Sequence, residues 1–274
     1  MYKLIASDLD ETLLDDGHHV PERVRRAIAA ARERGVLFVP ATGRPATSVA
    51  PTLAELGLAG SHGDYALSFN GGCLTRDDAL SSPITSCSLP FERAKEIYAA
   101  GVRYGVTMHV NTLDPVYLYN YIPEERAYIE GRMNIVETDE PTLDFLAGTV
   151  VVKIIFMSLD MPYLQRIERE MADSGLSSGL DVYYSGNRYL EFNAPGVNKG
   201  TGLLALAERL GIAREETIAI GDNSNDVSMI AAAGLGCAVA NATDEAKAAA
   251  GYVCSADNNA GAVAEVIERF VLDR

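Results

Sequence analysis

The chain has 274 residues, 48% of them hydrophobic and 22% charged, a balance that suits a soluble globular protein with a core of useful size. Its formal net charge of −15 excludes nucleic acid as a natural partner, because phosphate backbones are held by clustered Lys and Arg, and argues equally against anionic membrane surfaces. No run approaches the roughly 18 apolar residues needed to span a bilayer. Met1-Tyr2-Lys3 leads into the first apolar run without a signal peptide's long apolar stretch, so a cytoplasmic location is expected.

Leu4-Ile5-Ala6 is too short for a helix and has no helical period, so it reads as a buried strand that breaks into a polar loop at Asp8, Asp10 and Glu11. Alternate strand residues share a face, which starts Asp8 and Asp10 in the same direction. Carboxylates that close raise each other's pKa unless a cation sits between them. Hard oxygen ligands of this kind suit Mg²⁺, which takes one or two carboxylates and fills its shell with water and substrate phosphate. A solvated acidic turn has the same short pattern, and the motif alone does not separate the two.

Residues 21–35 read as a helix, with Pro21 in its first turn, Gly35 at its C-terminal cap and Val24, Ile28 and Ala31 as its packed stripe. Val36–Val39 is a short strand ending in Pro40-Ala41-Thr42-Gly43-Arg44, and strand–helix–strand at this spacing is a βαβ unit of a parallel sheet. A helix over 46–57, a strand over 64–69, a hairpin-like turn at Asn70-Gly71-Gly72 and a Ser-rich linker over 79–88 follow.

Residues 84–190 differ in texture. Tyr is concentrated there, and helices (91–104, 123–132, 161–174) mix with strands (106–110, 116–119, 150–156, 180–184) in an α+β pattern. From 191 the α/β texture returns: a helix over 199–210, a strand over 217–220 ending in Gly221-Asp222, a helix over 225–233, strands at 237–240 and 252–254, and helices at 243–250 and 260–271. Cys73, Cys87, Cys237 and Cys254 are widely spaced and read as reduced thiols.

The polar residues of interest follow strands or open helices. Ligand sites of open parallel sheets lie beyond the carboxyl ends of the strands, so Asp8, Thr42 and Asp222 are expected to meet at one crevice. Asp222 is placed to complete a Mg²⁺ site with Asp8, although Asp222 or Asn223 also suits a helix N-cap. Thr42-Gly43 offers a hydroxyl and backbone amides suited to phosphate oxygens. Lys199 opens a helix, a mildly unfavourable place for a cation, which hints at a role for its charge. His18, His19 and His62 fall in loops, while His109 sits on a strand of the 84–190 region and could reach substrate. Tyr117 and Tyr119 alternate with Val116 and Leu118, so one face of that strand is a candidate crevice lining.

Asp8-Leu9-Asp10-Glu11-Thr12-Leu13-Leu14 resembles the first signature of the haloacid dehalogenase superfamily. Thr42-Gly43-Arg44, Lys199 within Gly196–Gly200, and Gly221–Asp226 resemble its second, third and fourth signatures in order and spacing. The branch resembled is the Cof-type one (subclass IIB), mostly sugar-phosphate and cofactor phosphatases. The resemblance implies an α/β fold: a Rossmann-like core with a parallel sheet, built from 1–83 and 191–274, and an inserted α+β cap of the C2 type over 84–190. It implies Asp8 as nucleophile, Asp10 as general acid and base, and Lys199 as the cation that neutralises nucleophile and phosphate. It further implies Mg²⁺ held by Asp8, Asp10 (through its main-chain carbonyl) and Asp222, with Asp226 in support. Phosphate or substrate contacts fall to Leu9, Thr42, Gly43, Asn225 and, near the leaving group, Asn70. Glu11 stands where that branch commonly has Gly, which is tolerable if the position needs no positive φ.

The function implied is a Mg²⁺-dependent phosphomonoester hydrolase working through an aspartyl-phosphate on small phosphorylated metabolites. The alternatives are a phosphotransferase such as a phosphosugar mutase, and a non-catalytic phosphate-binding module. The expected partner is a small phosphorylated metabolite, with the chain a monomer or homodimer.

Overall fold

Strand β1 (Leu4–Ser7) is buried along its whole length, as an unbroken apolar run requires when both faces of a sheet are covered. The computed structural model describes residues 1–273. They divide into two compact units, one made of Met1–Thr85 and the chain from Asn198 onward, the other of Ser86–Val197.

In the first unit β1 leads through a wide turn, Leu9–Leu13, to α1 (Glu22–Glu33), β2 (Leu37–Pro40) and a 3₁₀ turn that runs into α2 (Ala50–Glu55). Then come β3 (Tyr65–Ser68), β4 (Cys73–Arg76) and β5 (Thr85–Ser86). The inserted unit holds α3 (Phe91–Tyr104), β6 (Thr107–Thr112), β7 (Val116–Tyr119), α4 (Pro123–Ile129), β8 (Ile135–Thr138), β9 (Val151–Met157), α5 (Met161–Asp173), β10 (Asp181–Ser185) and β11 (Tyr189–Asn193). The core resumes with α6 (Lys199–Arg209), β12 (Thr217–Gly221), α7 (Val227–Ala232), β13 (Leu235–Ala238), α8 (Asp244–Ala249), β14 (Tyr252–Val253) and α9 (Ala262–Ile267).

The core sheet is parallel, in the order β14-β13-β12-β1-β2. Its strands are covered on both faces. Ile5, Phe38, Ile218 and Ile220 pack with Val24, Ile28 and Ala31 of α1 and Val263 and Val266 of α9. Leu4, Ala6, Val39 and Ala219 pack with Leu203 and Leu206 of α6 and Met229 of α7. The buried residues of α1 recur at helical spacing, which is why it forms and which face it turns inward. In register, Ser7 stands beside both Ile220 and Pro40. Asp8, Thr42 and Asp222 therefore leave the sheet at the same edge, on the two sides of β1.

The sheet of the inserted unit runs β10-β11-β9-β6-β7-β8. It is antiparallel except for the β7–β8 pair. Among the described residues no helix is long and apolar enough to cross a membrane.

Several elements differ from the sequence reading. The inserted unit ends at Val197, not 190, because β11 pairs with β9 and β10 and so belongs to the inserted sheet. The strand expected at 237–240 lies at Leu235–Ala238, where pairing of Ile218 with Leu235 and Gly221 with Ala238 sets its register. The helix expected over 46–57 starts as a 3₁₀ turn, Ala46–Val49, and ends at Glu55. Tyr117 and Tyr119 line no crevice: they pack into the apolar cluster of the inserted unit, with Tyr119 edge-on to Tyr98 and Tyr117 edge-on to Phe145.

The expectation for Glu11 is overturned. Its φ is +58°, and its carbonyl is tied down by Asn241 Nδ2 at 2.8 Å. An L-residue held there costs about 1–2 kcal/mol that glycine avoids. Glu11→Gly is expected to raise the melting temperature by about 2–4 °C, measured by differential scanning calorimetry. An unchanged or lower melting temperature would show that the glutamate side chain offsets the strain.

Candidate active site

Helix α6 delivers the site's cation. Asn198 and Thr201 cap its start reciprocally: Asn198 Oδ1 accepts from Thr201 N–H at 2.8 Å, and Thr201 Oγ1 accepts from Asn198 N–H at 3.2 Å. Two glycines then let the helix approach other main chain. A Cβ on Gly200 would fall 2.4 Å from the Ser228 carbonyl oxygen, and one on Gly202 would fall 2.7 Å from Gly71 Cα. The first helical residue, Lys199, is completely buried.

Its ammonium donates to Asp8 Oδ1 and, at 2.6 Å, to Asp226 Oδ1. Asp226 Oδ2 accepts from the main-chain N–H of Asp222 and of Asn223, each at 3.1 Å. Asp222 Oδ1 accepts from Thr12 Oγ1 at 2.7 Å. Asp8, Asp222 and Asp226 each bring a carboxylate oxygen within 4.8 Å of the others. Both oxygens of Asp226 are thus engaged by N–H donors, so it holds Lys199 and the Gly221 turn in place. Asp8 and Asp222 remain the carboxylates suited to a metal.

A second row borders this cluster. Asn70 N–H donates to the Thr42 carbonyl at 2.9 Å, Asn225 Nδ2 donates to Asn70 Oδ1 at 3.2 Å, and a Cβ on Gly43 would fall 3.0 Å from Asn70 Oδ1. Thr42, Gly43, Asn70 and Asn225 are therefore brought together. Leu9 puts its side chain into the hydrophobic core, which leaves only its main chain for a phosphate. The Asp10 carboxylate lies outside the acidic cluster and pairs with Arg44 through both its oxygens, Nε to Oδ2 at 2.8 Å. The sequence signals neither the bond of Thr12 to Asp222 nor the pairing of Arg44 with Asp10. Both contacts join distant segments, and no local pattern announces them.

The electrostatics follow from burial. Burial works against the Lys199 charge, but Asp226 and then Asp8 outweigh it and hold the ammonium above its ordinary value. Burial, with Asp226, Asp222 and Asp10 adding to it against Lys199, pushes Asp8 well above the usual carboxylate range. Burial and then Asp226 push Asp222 up to about 7, against the hydrogen bond from Thr12. Three carboxylates face one ammonium, an excess of two negative charges that a hard divalent cation would cancel with oxygen ligands of the right kind. The donor set fits Mg²⁺.

This arrangement coincides with a sequence match: the family model for haloacid dehalogenase-like hydrolases aligns with residues 5–267. The chain belongs to the haloacid dehalogenase-like hydrolase family. It is 33% identical over 274 residues to the putative phosphatase YxeH of Bacillus subtilis, covering 99% of each chain. It is also 28% identical over 270 residues to the 5-amino-6-(5-phospho-D-ribitylamino)uracil phosphatase YcsE of B. subtilis, covering 98% of this chain and 96% of that one. Among solved structures, a haloacid dehalogenase-like hydrolase from Bacteroides thetaiotaomicron superposes with a TM-score of 0.84 at 32% identity, covering 98% of this chain and 99% of that one. The protein is a phosphatase of this family's Cof-type branch, with the parallel core sheet and a separate mixed sheet in the inserted unit.

A cation competes with protons for Asp8 and Asp222. Their folded pKa values are raised, so the metal-free protein loses stability as pH rises from the unfolded carboxylate value toward about 7. Mg²⁺ is accordingly expected to raise the melting temperature more at pH 8 than at pH 5.5, measured as the difference between scans with and without the ion. An equal shift at both values would count against these carboxylates as its ligands.

Proposed function

We propose that the protein is a Mg²⁺-dependent phosphomonoester hydrolase in which Asp8 forms an aspartyl-phosphate. The observation that carries this reading is the buried Asp8–Lys199–Asp226 network beside Asp222. Asp8 Oδ attacks phosphorus in line, and the ester P–O bond breaks. Asp10 gives its proton to the leaving oxygen, then takes a proton from the water that attacks the acyl-phosphate. Arg44 pairs with the ionised Asp10 carboxylate, the form that takes the proton from water, and gives up one of its oxygens when Asp10 carries the proton. Lys199 offsets charge on Asp8 and on the phosphoryl oxygens, while Thr42, the Gly43 main chain and Asn225 position those oxygens. Mg²⁺, held by Asp8, Asp222 and the Asp10 main-chain carbonyl, would supply further neutralisation of the transferring group. The named activity of the YcsE relative supports a sugar-like or cofactor-like ester as substrate. A cytoplasmic setting fits the four free cysteines, Cys73, Cys87, Cys237 and Cys254, which a reducing compartment keeps as thiols.

Asp8→Asn keeps the side-chain volume and is expected to lower turnover by ~10⁴-fold or more with the far-UV circular dichroism spectrum unchanged. Acid-quenched unaltered protein should carry the phosphoryl group on the peptide containing Asp8, by mass spectrometry. Turnover retained by the variant would remove the covalent step. Isomerised sugar phosphate in place of released inorganic phosphate would instead assign a mutase.

A further inference from the structure

The turn that carries Asp10 has an unusual backbone. Asp10 is extended (φ −69°, ψ 133°), and the next residue, Glu11, is left-handed (φ 58°, ψ 8°). Glycine adopts the second conformation freely, whereas a glutamate stays in it only if its surroundings hold it there. Glu11 is exposed, so packing does not hold it. A chain of hydrogen bonds does. Asn241, three residues past β13, donates through Nδ2 to the Glu11 carbonyl at 2.8 Å, and its Oδ1 accepts from the Asn258 N–H at 3.2 Å. The Asn258 side chain is buried and donates through Nδ2 to the Leu14 carbonyl at 3.0 Å and to Asp16 Oδ1 at 3.2 Å. Leu14 N–H then closes the turn on the Leu9 carbonyl at 2.9 Å.

We infer that Asn241 is a positioning residue for the reaction: by holding Glu11 at positive φ it aims the Asp10 carboxylate. The inference rests on the reading of Asp10 as general acid and base, and adds the device that orients it. Its mechanics follow from what is fixed on either side. Asp8 is held by Lys199, the Leu9 side chain lies in the core, and Thr12 is tied to Asp222 at 2.7 Å. Between these anchors, a rotation that returned Glu11 to negative φ would be taken up by the peptide joining it to Asp10, and the carboxylate one residue back would turn with it. Arg44 grips that carboxylate, but its long side chain can follow a displaced partner. Asn241 instead fixes the main chain from which the carboxylate projects. Misplacing a proton donor by a fraction of its hydrogen-bond length is enough to slow a transfer.

The test uses the full chain with Mg²⁺ and two kinds of ester. The acidic phenol of p-nitrophenyl phosphate leaves without a proton, whereas the alkoxide of an alkyl phosphate needs one from Asp10. The quantity read is the ratio of alkyl to aryl kcat/KM, with the best-hydrolysed member of an alkyl phosphate panel as the alkyl ester. Asp10→Asn, the reference, should lower this ratio sharply. Asn241→Ala, at an exposed position and so expected to fold, should lower it about tenfold, the worth of one hydrogen bond. A loosened fold or a weaker hold on Mg²⁺ would slow both esters together and leave the ratio where it was. Adding Glu11→Gly to Asn241→Ala should restore the ratio, because glycine keeps a positive φ unaided. A ratio that Asn241→Ala does not move, or a lowered ratio that Glu11→Gly does not restore, overturns the inference alone. A ratio that Asp10→Asn does not move overturns the reading of Asp10 as the acid and the inference with it. No hydrolysis of any ester by the unaltered protein overturns the phosphatase reading as a whole.

Discussion

The structure turns on one ammonium group buried among carboxylates. Lys199 has no exposed surface, and Asp8 and Asp226 both hold it. Removing either charge from water costs several kcal/mol, and the pair repays this only with good geometry and further hydrogen bonds. Those bonds are present: the main-chain amides of Asp222 and Asn223 saturate Asp226, and Thr12 supports Asp222. The network ties together the end of β1, the end of β12 and the start of α6, three points far apart in sequence. The same burial that makes the arrangement costly leaves its surplus negative charge unscreened, a surplus of the kind that a hard cation neutralises.

Much of this was legible in the chain itself because of an abrupt change of character. At Asp8 and at Asp222 a fully apolar strand becomes acidic within one or two residues, and the parallel register then sends both carboxylates to the same edge. Lys199 was legible as a cation at a helix start, where the dipole disfavours it. The pairing of Asp10 with Arg44 and of Thr12 with Asp222 was not, because each joins side chains that only the folded topology brings together. The strain at Glu11 is a property of the turn's dihedral angles, and nothing in the residue type announces it.

The cap was harder to read for a physical reason. A sheet with polar groups buried on one face breaks the rule that polar residues point to water. Asn111 and Glu191 therefore blurred the end of β6 and the whole of β11, while Lys153 did not hide β9. Strand β8, half-buried at the sheet edge, has too little apolar content to signal itself. β11 does alternate, yet its partner β9 lies more than thirty residues upstream, so the boundary of the insertion could be placed only with the pairing in hand.

The glycines of α6 have a consequence of their own. Gly200 and Gly202 set main chain directly against main chain, at Ser228 and at Gly71. The helix's seat is consequently defined by peptide units, which no substitution outside these glycines alters, and only secondarily by the aliphatic side chains below it. Leu203 and Leu206 can be exchanged for other apolar residues with modest adjustment in the layer beneath. The terminal charge stays where the backbone put it, so the interior of such a protein has wide freedom to drift while its reaction centre keeps ångström-level alignment.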